Sequence, residues 1–175
     1  MPKEVMKIMR EILFRAKAIN RDPFSEYRTN YKNGDWVYGL ITRQYDERFE
    51  TLPAEMTNTD GVSGIDVDYK TIGQFTGLID KNGKKIFEGD ILTSECYPYT
   101  NSDGDKNYFA EVIWFDNTPA FGTYTFKNPK SSVSGISHGN CDLFEDDDGS
   151  LWEVIGNKYD NPEFFKTEKG DEGNE

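Results

Sequence analysis

The densest carboxylate run in the chain is Glu145-Asp146-Asp147-Asp148, followed at once by Gly149. Clustered side-chain oxygens of this kind suggest calcium, yet an EF-hand loop with its turn glycine at Gly149 would need its first acidic ligand where Phe144 stands. Asp103-Gly104-Asp105 fails in the same way, with Tyr99 in the first ligand position. Glu145 to Asp148 therefore reads as the solvated tip of a hairpin, with only a less regular cation site left open. Cys96, Cys141 and the single His138 are too few for a structural zinc centre, which takes about four such ligands. The two cysteines could close one disulfide, but Met1 to Arg10 has no export-like apolar region, which favours two reduced thiols. Ser137 beside His138 is adjacency in sequence and carries no catalytic geometry. Gly73, Gly77, Gly83 and Gly89 match neither a dinucleotide fingerprint nor a phosphate loop, and read as turn glycines. No catalytic, cofactor-binding or metal-binding set emerges, and the expectation is that the protein is not an enzyme and needs no cofactor. Lys81, Lys84 and Lys85 form a small basic tip, which reads first as a solubilising hairpin end and second as a nucleic-acid contact.

The elements that would carry these residues are strands. Thr71 to Ile79 alternates β-branched, aromatic and small residues, which predicts a strand with Ile72 and Leu78 on one face and Phe75 and Ile79 on the other. Asp80-Lys81-Asn82-Gly83 follows as a tight turn, since an Asp can bond the backbone two residues on and Asn-Gly tolerates positive φ. Ile86-Phe87 restarts the apolar pattern, Glu88-Gly89-Asp90 turns again, and Ile91-Leu92 resumes. Two short strands and two tight turns in so little chain predict a small, strongly bent sheet or barrel.

Earlier in the chain, Ile12 to Ala16 predicts a first strand broken by Asn20-Arg21-Asp22-Pro23. Asn33-Gly34-Asp35 turns into Trp36 to Ile41, whose β-formers on both faces predict a strand covered on both sides. Asp46 to Asp68 reads as loop with one short strand near Ile65 to Tyr69. After a polar excursion at Glu95 to Asn107, Tyr108 to Phe115 alternates as a strand, Asp116 to Pro119 turns, and Phe121 to Phe126 continues. Lys127 to Asn140 reads as a long exposed loop. Leu143-Phe144 and Leu151 to Ile155 read as the two arms of an acid-tipped hairpin. The expected core takes in Phe14, Trp36, Ile72, Phe75, Ile86, Ile91, Val112, Trp114 and Ile155.

The chain of 175 residues is long enough for one domain with a sizeable core. Hydrophobic residues make up only 35%, but aromatics reach 14%, a profile that favours sheets over helical bundles. A formal net charge of -12, from 32 acidic and 20 basic residues, disfavours indiscriminate binding to nucleic acid and to anionic membranes. No run approaches the ~20 apolar residues of a helical membrane span.

The run Thr71 to Ile91, T-I-G-Q-F-T-G-L-I-D-K-N-G-K-K-I-F-E-G-D-I, resembles the central motif of the YopX family of bacteriophage and prophage proteins. Met9 to Ala16 resembles the family's opening strand, and Glu153 to Glu163, E-V-I-G-N-K-Y-D-N-P-E, its closing one. The resemblance spans residues 9–165 as one β domain, with 1–8 as an N-terminal extension that contributes little to folding and 166–175 as a disordered acidic tail. It implies a mainly β, β-rich α+β fold with an SH3-like or pseudo-barrel core and long surface loops. It assigns no biochemical activity and no site residues. The expected function is that of a phage or prophage accessory protein in the cytoplasm of the bacterial host, acting as a non-catalytic protein-interaction module through a protein partner or a homo-oligomer. A nucleic-acid-associated SH3-like module is the alternative.

Overall fold

The β-branched and aromatic runs do become strands in the computed structural model, which describes residues 11–20, 29–43, 54–94, 108–127, 141–143 and 149–165. The chain divides into two units, Met1–Gly77 and Leu78–Glu175. In the first, β1 (Phe14–Lys17), β2 (Trp36–Arg43), β3 (Ala54–Asn58), β4 (Ile65–Val67) and the start of β5 (Gly73–Ile79) lie in the order β4-β3-β2-β1-β5. Every paired neighbour in that sheet is antiparallel. Ala16, Ala18, Val37, Ala54, Met56, Ile65 and Val67 form its buried core, with Phe14, Ile41 and Ile72 packed partly buried against it. Ala18 bridges Val67, the Ile19 N–H donates to the Asp66 carbonyl at 2.8 Å, and the Asp68 N–H donates to the Lys17 carbonyl at 2.9 Å. This seam draws β4 towards the end of β1, short of a closed barrel.

The turn of 3-10 helix at Tyr69–Thr71 is capped by Asp68, whose carboxylate accepts from the Lys70 N–H at 3.0 Å. Thr71 ties this turn to β1, its hydroxyl oxygen accepting from the Lys17 N–H at 2.8 Å. β5 then departs from simple alternation. Gly73 and Phe75 are buried, but so is Thr76, while Gly77 and Ile79 are exposed. Gly77 has φ +94°, a left-handed value that inserts a kink and exchanges the strand's two faces. For that reason Ile79 does not share the buried face of Phe75, contrary to the alternation in the sequence.

In the second unit the end of β5 pairs with β6 (Lys85–Phe87). A separate antiparallel sheet runs in the order β10-β9-β8-β7-β11, built from β7 (Asp90–Thr93), β8 (Phe109–Phe115), β9 (Ala120–Lys127), β10 (Cys141–Leu143) and β11 (Glu153–Asn157). Its core is Ile86, Leu92, Tyr108, Ala110, Val112, Trp152 and Val154. The Tyr108 hydroxyl, fully buried, is satisfied by Thr125 at 2.8 Å, and the Tyr108 and Trp152 rings lie 5.9 Å apart. The Pro162–Phe165 turn lays Phe164 edge-on against Phe109 at 5.3 Å and stacks Phe165 on Phe126 at 4.4 Å, so this turn is fastened to β8 and β9 by aromatic packing.

Four further sequence expectations are corrected by this fold. β2 is covered on one face only, since Tyr38 and Leu40 are 39% and 52% exposed. The stretch read as loop before Ile65 contains β3. The two supposed arms of one hairpin, β10 and β11, lie at opposite edges of their sheet, because β10 pairs with β9 and β11 with β7. Of the expected core, Phe75, Ile86, Ile91 and Val112 are buried, whereas Phe14, Trp36, Ile72 and Ile155 are half-buried and Trp114 is 40% exposed beside the turn of the β8–β9 hairpin. Residues 1–10, 21–28, 44–53, 95–107, 128–140, 144–148 and 166–175, with the expectations attached to them, lie outside the described residues. Among the described residues no helix is long and apolar enough to cross a membrane.

Candidate functional site

Of the residues singled out for chemistry, Glu145 to Asp148, Asp103, Asp105, Ser137, His138 and Cys96 lie outside the described residues, and Cys141 opens β10. Among the described residues no group of three or more His, Cys, Asp or Glu side chains is placed to hold a metal ion. The glycines are where turns and kinks need them. Gly77, Gly83 and Gly89 all have positive φ, while Gly73 sits in β5 opposite Arg15.

Within the second unit the two motif segments meet at Asp80. Its side chain is 5% exposed. Oδ1 accepts from the N–H groups of Asn82 at 2.9 Å and Lys84 at 2.8 Å, which closes the turn as its composition predicts. Oδ2 reaches out of the turn and accepts from the Val154 N–H at 2.9 Å, while the Lys81 N–H donates to the Trp152 carbonyl at 2.9 Å. The Lys81 ammonium lies 2.8 Å from the Glu153 carboxylate. One cation of the basic tip is thereby paired with the sheet beside it.

A second junction joins the Glu88-Gly89-Asp90 turn to the loop after β11. The Phe87 N–H donates to Asp90 Oδ2 at 2.7 Å, Gly89 donates its N–H to the Val112 carbonyl at 2.8 Å, and its carbonyl accepts from the Lys158 N–H at 2.9 Å. Asn157 organises the loop, its Oδ1 accepting from the Tyr159 and Asp160 N–H groups at 3.0 Å each. Lys158 Nζ is 3.0 Å from Glu111 Oε1. Partial burial of Lys158 disfavours its charge, but the hydrogen bond and charge of Glu111, together with the charges of Tyr159 and Glu88, outweigh that and raise its pKa above the ordinary lysine value. Burial also raises the Tyr159 pKa, against the opposing pull of Lys158. These contacts hold turns in place, and they give the central and closing motifs a structural role.

The candidate contact surface is in the first unit. On the outward face of β2, Trp36, Tyr38 and Leu40 follow at alternate positions, and β1 sets Arg15 opposite Tyr38 and Lys17 opposite Trp36. The Arg15 guanidinium lies 4.7 Å and the Lys17 ammonium 4.8 Å from the centre of the Trp36 ring, within cation–π range. Arg15 is itself buried and the Lys17 ammonium also donates to the Gly34 carbonyl at 3.2 Å, so what this face leaves in water is Tyr38 and Leu40, large apolar groups of the kind found in protein-contact patches. The sequence held the signal in the run Trp36 to Ile41. It reads equally as a strand buried on both sides, which is why the exposed row was not legible there.

A family model described as YopX protein matches residues 24–166. The central and closing motifs fall inside the match, and Met9 to Ala16 falls before it. A crystal structure of protein EF1440 from Enterococcus faecalis is similar at 21% identity over 89% of this chain and 99% of that chain, with a TM-score of 0.43. A comparison with curated proteins found no match.

Proposed function

The chain belongs to the YopX family, and from that premise we propose that it is a phage- or prophage-encoded, non-catalytic interaction module that docks a protein partner in the bacterial cytoplasm. The observation that carries the proposal is the outward row of β2, where Tyr38 and Leu40 stay substantially exposed on a strand flanked by β1 and β3. Large apolar groups at the centre of a sheet, rather than at its frayed edge, offer a rigid platform that loses little side-chain entropy when covered. With a net charge of -12, the module favours basic or mixed-charge partners, through steering that salt screens. The nucleic-acid alternative rests on Lys81, Lys84 and Lys85, and the Lys81–Glu153 pair weakens it by offsetting part of the tip's charge.

A photocrosslinking amino acid at Tyr38, and separately at Lys84, distinguishes the two readings in the producing host. The proposal expects a discrete, protease-sensitive and nuclease-resistant adduct at position 38 that Leu40→Asp removes. A nuclease-sensitive adduct at position 84 without one at position 38 overturns it in favour of the nucleic-acid module.

A further inference from the structure

Asn-Gly occurs at two turns of this chain, Asn33-Gly34 and Asn82-Gly83, and both glycines hold left-handed backbone, at φ +87° and +83°. The pair carries a latent reaction as well as a turn. The backbone nitrogen that follows an asparagine can attack that residue's own carboxamide carbon, and glycine, having no side chain, leaves the nitrogen open. A Cβ built on either glycine would meet no atom within 4 Å. Sequence and steric access are therefore alike at the two sites, and the restraint that the fold puts on them is not.

At the first site both reacting groups are tied to the end of β1 and the residues after it. Asn33 Oδ1 accepts from the Asn20 N–H at 3.3 Å, the Gly34 N–H donates to the carbonyl of buried Ala18 at 2.8 Å, and the Gly34 carbonyl accepts from the Lys17 ammonium at 3.2 Å. At the second, Asn82 is exposed between β5 and β6, and its carboxamide makes no hydrogen bond among the described residues. The Gly83 N–H donates within its own turn, to the Asp80 carbonyl at 2.9 Å. Opening that one turn frees the nitrogen, whereas freeing Gly34 breaks a tie to a core strand. Asp80 controls the opening, because its Oδ1 holds the Asn82 and Lys84 N–H groups at 2.9 and 2.8 Å.

We propose that Asn82 is a site of self-modification, at which the folded protein converts the carboxamide to aspartyl and isoaspartyl linkages at a rate set by Asp80. Hydroxide takes the Gly83 N–H proton, the nitrogen bonds to Asn82 Cγ, and ammonia leaves to give a cyclic imide. Water then adds to one imide carbonyl and breaks its bond to nitrogen. Opening at Cγ restores the ordinary backbone with a side-chain carboxylate. Opening at the backbone carbonyl runs the chain through Cγ and lengthens it by a methylene. Water and hydroxide are the only reactants, and no electrons change hands. Either product sets a carboxylate among Lys81, Lys84 and Lys85. The isoaspartyl product also stretches the turn that Asp80 closes, and so loosens the bond from Asp80 to the Val154 N–H.

The test incubates the full chain in mildly alkaline buffer, folded and, in parallel, in guanidinium chloride. Mass spectrometry follows the peptides that carry Asn33 and Asn82, and isoaspartyl methyltransferase labelling identifies the isoaspartyl product. In the folded chain Asn82 should convert several-fold faster than Asn33, the two rates should become nearly equal in denaturant, and isoaspartyl product should form at position 82 in both. Asn82→Gln should abolish the conversion. Equal rates in the folded chain, faster conversion at Asn33, a folded Asn82 that stays intact while the denatured sample converts, or conversion to the ordinary aspartyl form alone overturns the proposal. Asp80→Ala should accelerate Asn82 and leave Asn33 slow, which also shows that the first unit is still folded in that variant; acceleration at both sites or at neither overturns the role of Asp80. In isoaspartyl-enriched protein the Lys84 and Val154 amides should exchange faster than in Asn82→Asp, and equal exchange overturns the loosening of the turn.

Discussion

Replacing Asp80 is the sharpest test of how the second unit is held together. Asp80→Ala removes the acceptor for three backbone N–H groups at once, those of Asn82, Lys84 and Val154. The Val154 bond is buried, so its donor is left dry, and hydrogen bonds to a charged partner are worth about 1.5–3 kcal/mol each. The two turn bonds are only partly buried, so water offsets part of their loss and about 1 kcal/mol apiece is a fair share. The sum is about 3–5 kcal/mol, a large fraction of the ~5–15 kcal/mol that holds a typical domain. Asp80→Asn retains one oxygen for the turn but presents an amide N–H to Val154 or to the turn, and it should cost about 2–3 kcal/mol. Urea unfolding followed by intrinsic fluorescence measures both, and amide exchange at Val154 should accelerate in each variant relative to Ala110 on β8. An Asp80→Ala cost below about 1 kcal/mol, or equal costs for the two variants, would refute the claim that one carboxylate joins the turn to β11.

Gly83, at φ +83° with open space around a would-be Cβ, should tolerate Asn but lose about 1–2 kcal/mol on conversion to Val, because only the backbone conformation is at issue; denaturant midpoints of the two variants check this. Lys158 and Tyr159 both have raised pKa values, so the stability they contribute is present at neutral pH and is lost as the pH climbs beyond about 10. A denaturation series from mildly to strongly alkaline pH should show that fall, and a Lys158→Met, Tyr159→Phe double variant should flatten it. The Tyr38→Ser, Leu40→Asp double variant should change stability by no more than about 0.5 kcal/mol per site while abolishing partner binding, since both side chains face water. Duplex DNA should bind no tighter than the weak non-specific range near 10⁻⁴ M, about the level set by an unfavourable field; anisotropy at ~0.15 M salt tests it, and micromolar binding that requires Lys81, Lys84 and Lys85 would contradict the protein-docking reading.

The tight turns were the most legible part of the sequence, because Asp80 to Gly83 and Glu88 to Asp90 specify their conformations within a few residues. Long alternating strands such as β8 were legible for the same local reason. What sequence could not supply was the set of long-range partners. β10 and β11 flank one acidic stretch and look like a hairpin, yet their neighbours are β9 and β7, a choice made by packing. β3, A-E-M-T-N, has little intrinsic strand character and is a strand because β2 and β4 pair on either side of it. The kink at Gly77 reversed a correct alternation halfway along β5. The Trp36 row failed at a different step, because apolar residues on both faces of a strand do not say which face is left for something else to cover.

The placement of β1 has a consequence for how the protein is born. It is the earliest described strand to leave the ribosome, yet it ends up inside its sheet, paired with β2 on one side and with Gly73 and Gln74 of β5 on the other. At roughly 5–20 residues per second, synthesis takes roughly 3–12 s to travel from Lys17 to Phe75. Through most of that interval β1 can pair only with β2, until Asp68 and Thr71 emerge to meet its Lys17 end. Its other edge waits, with backbone N–H and C=O groups open to any extended segment nearby, until β5 is made and takes the place. The nascent chain thus passes through a stage in which its own future centre is an exposed border, and slow translation between β4 and β5 would prolong the stage most open to mispairing with neighbouring chains.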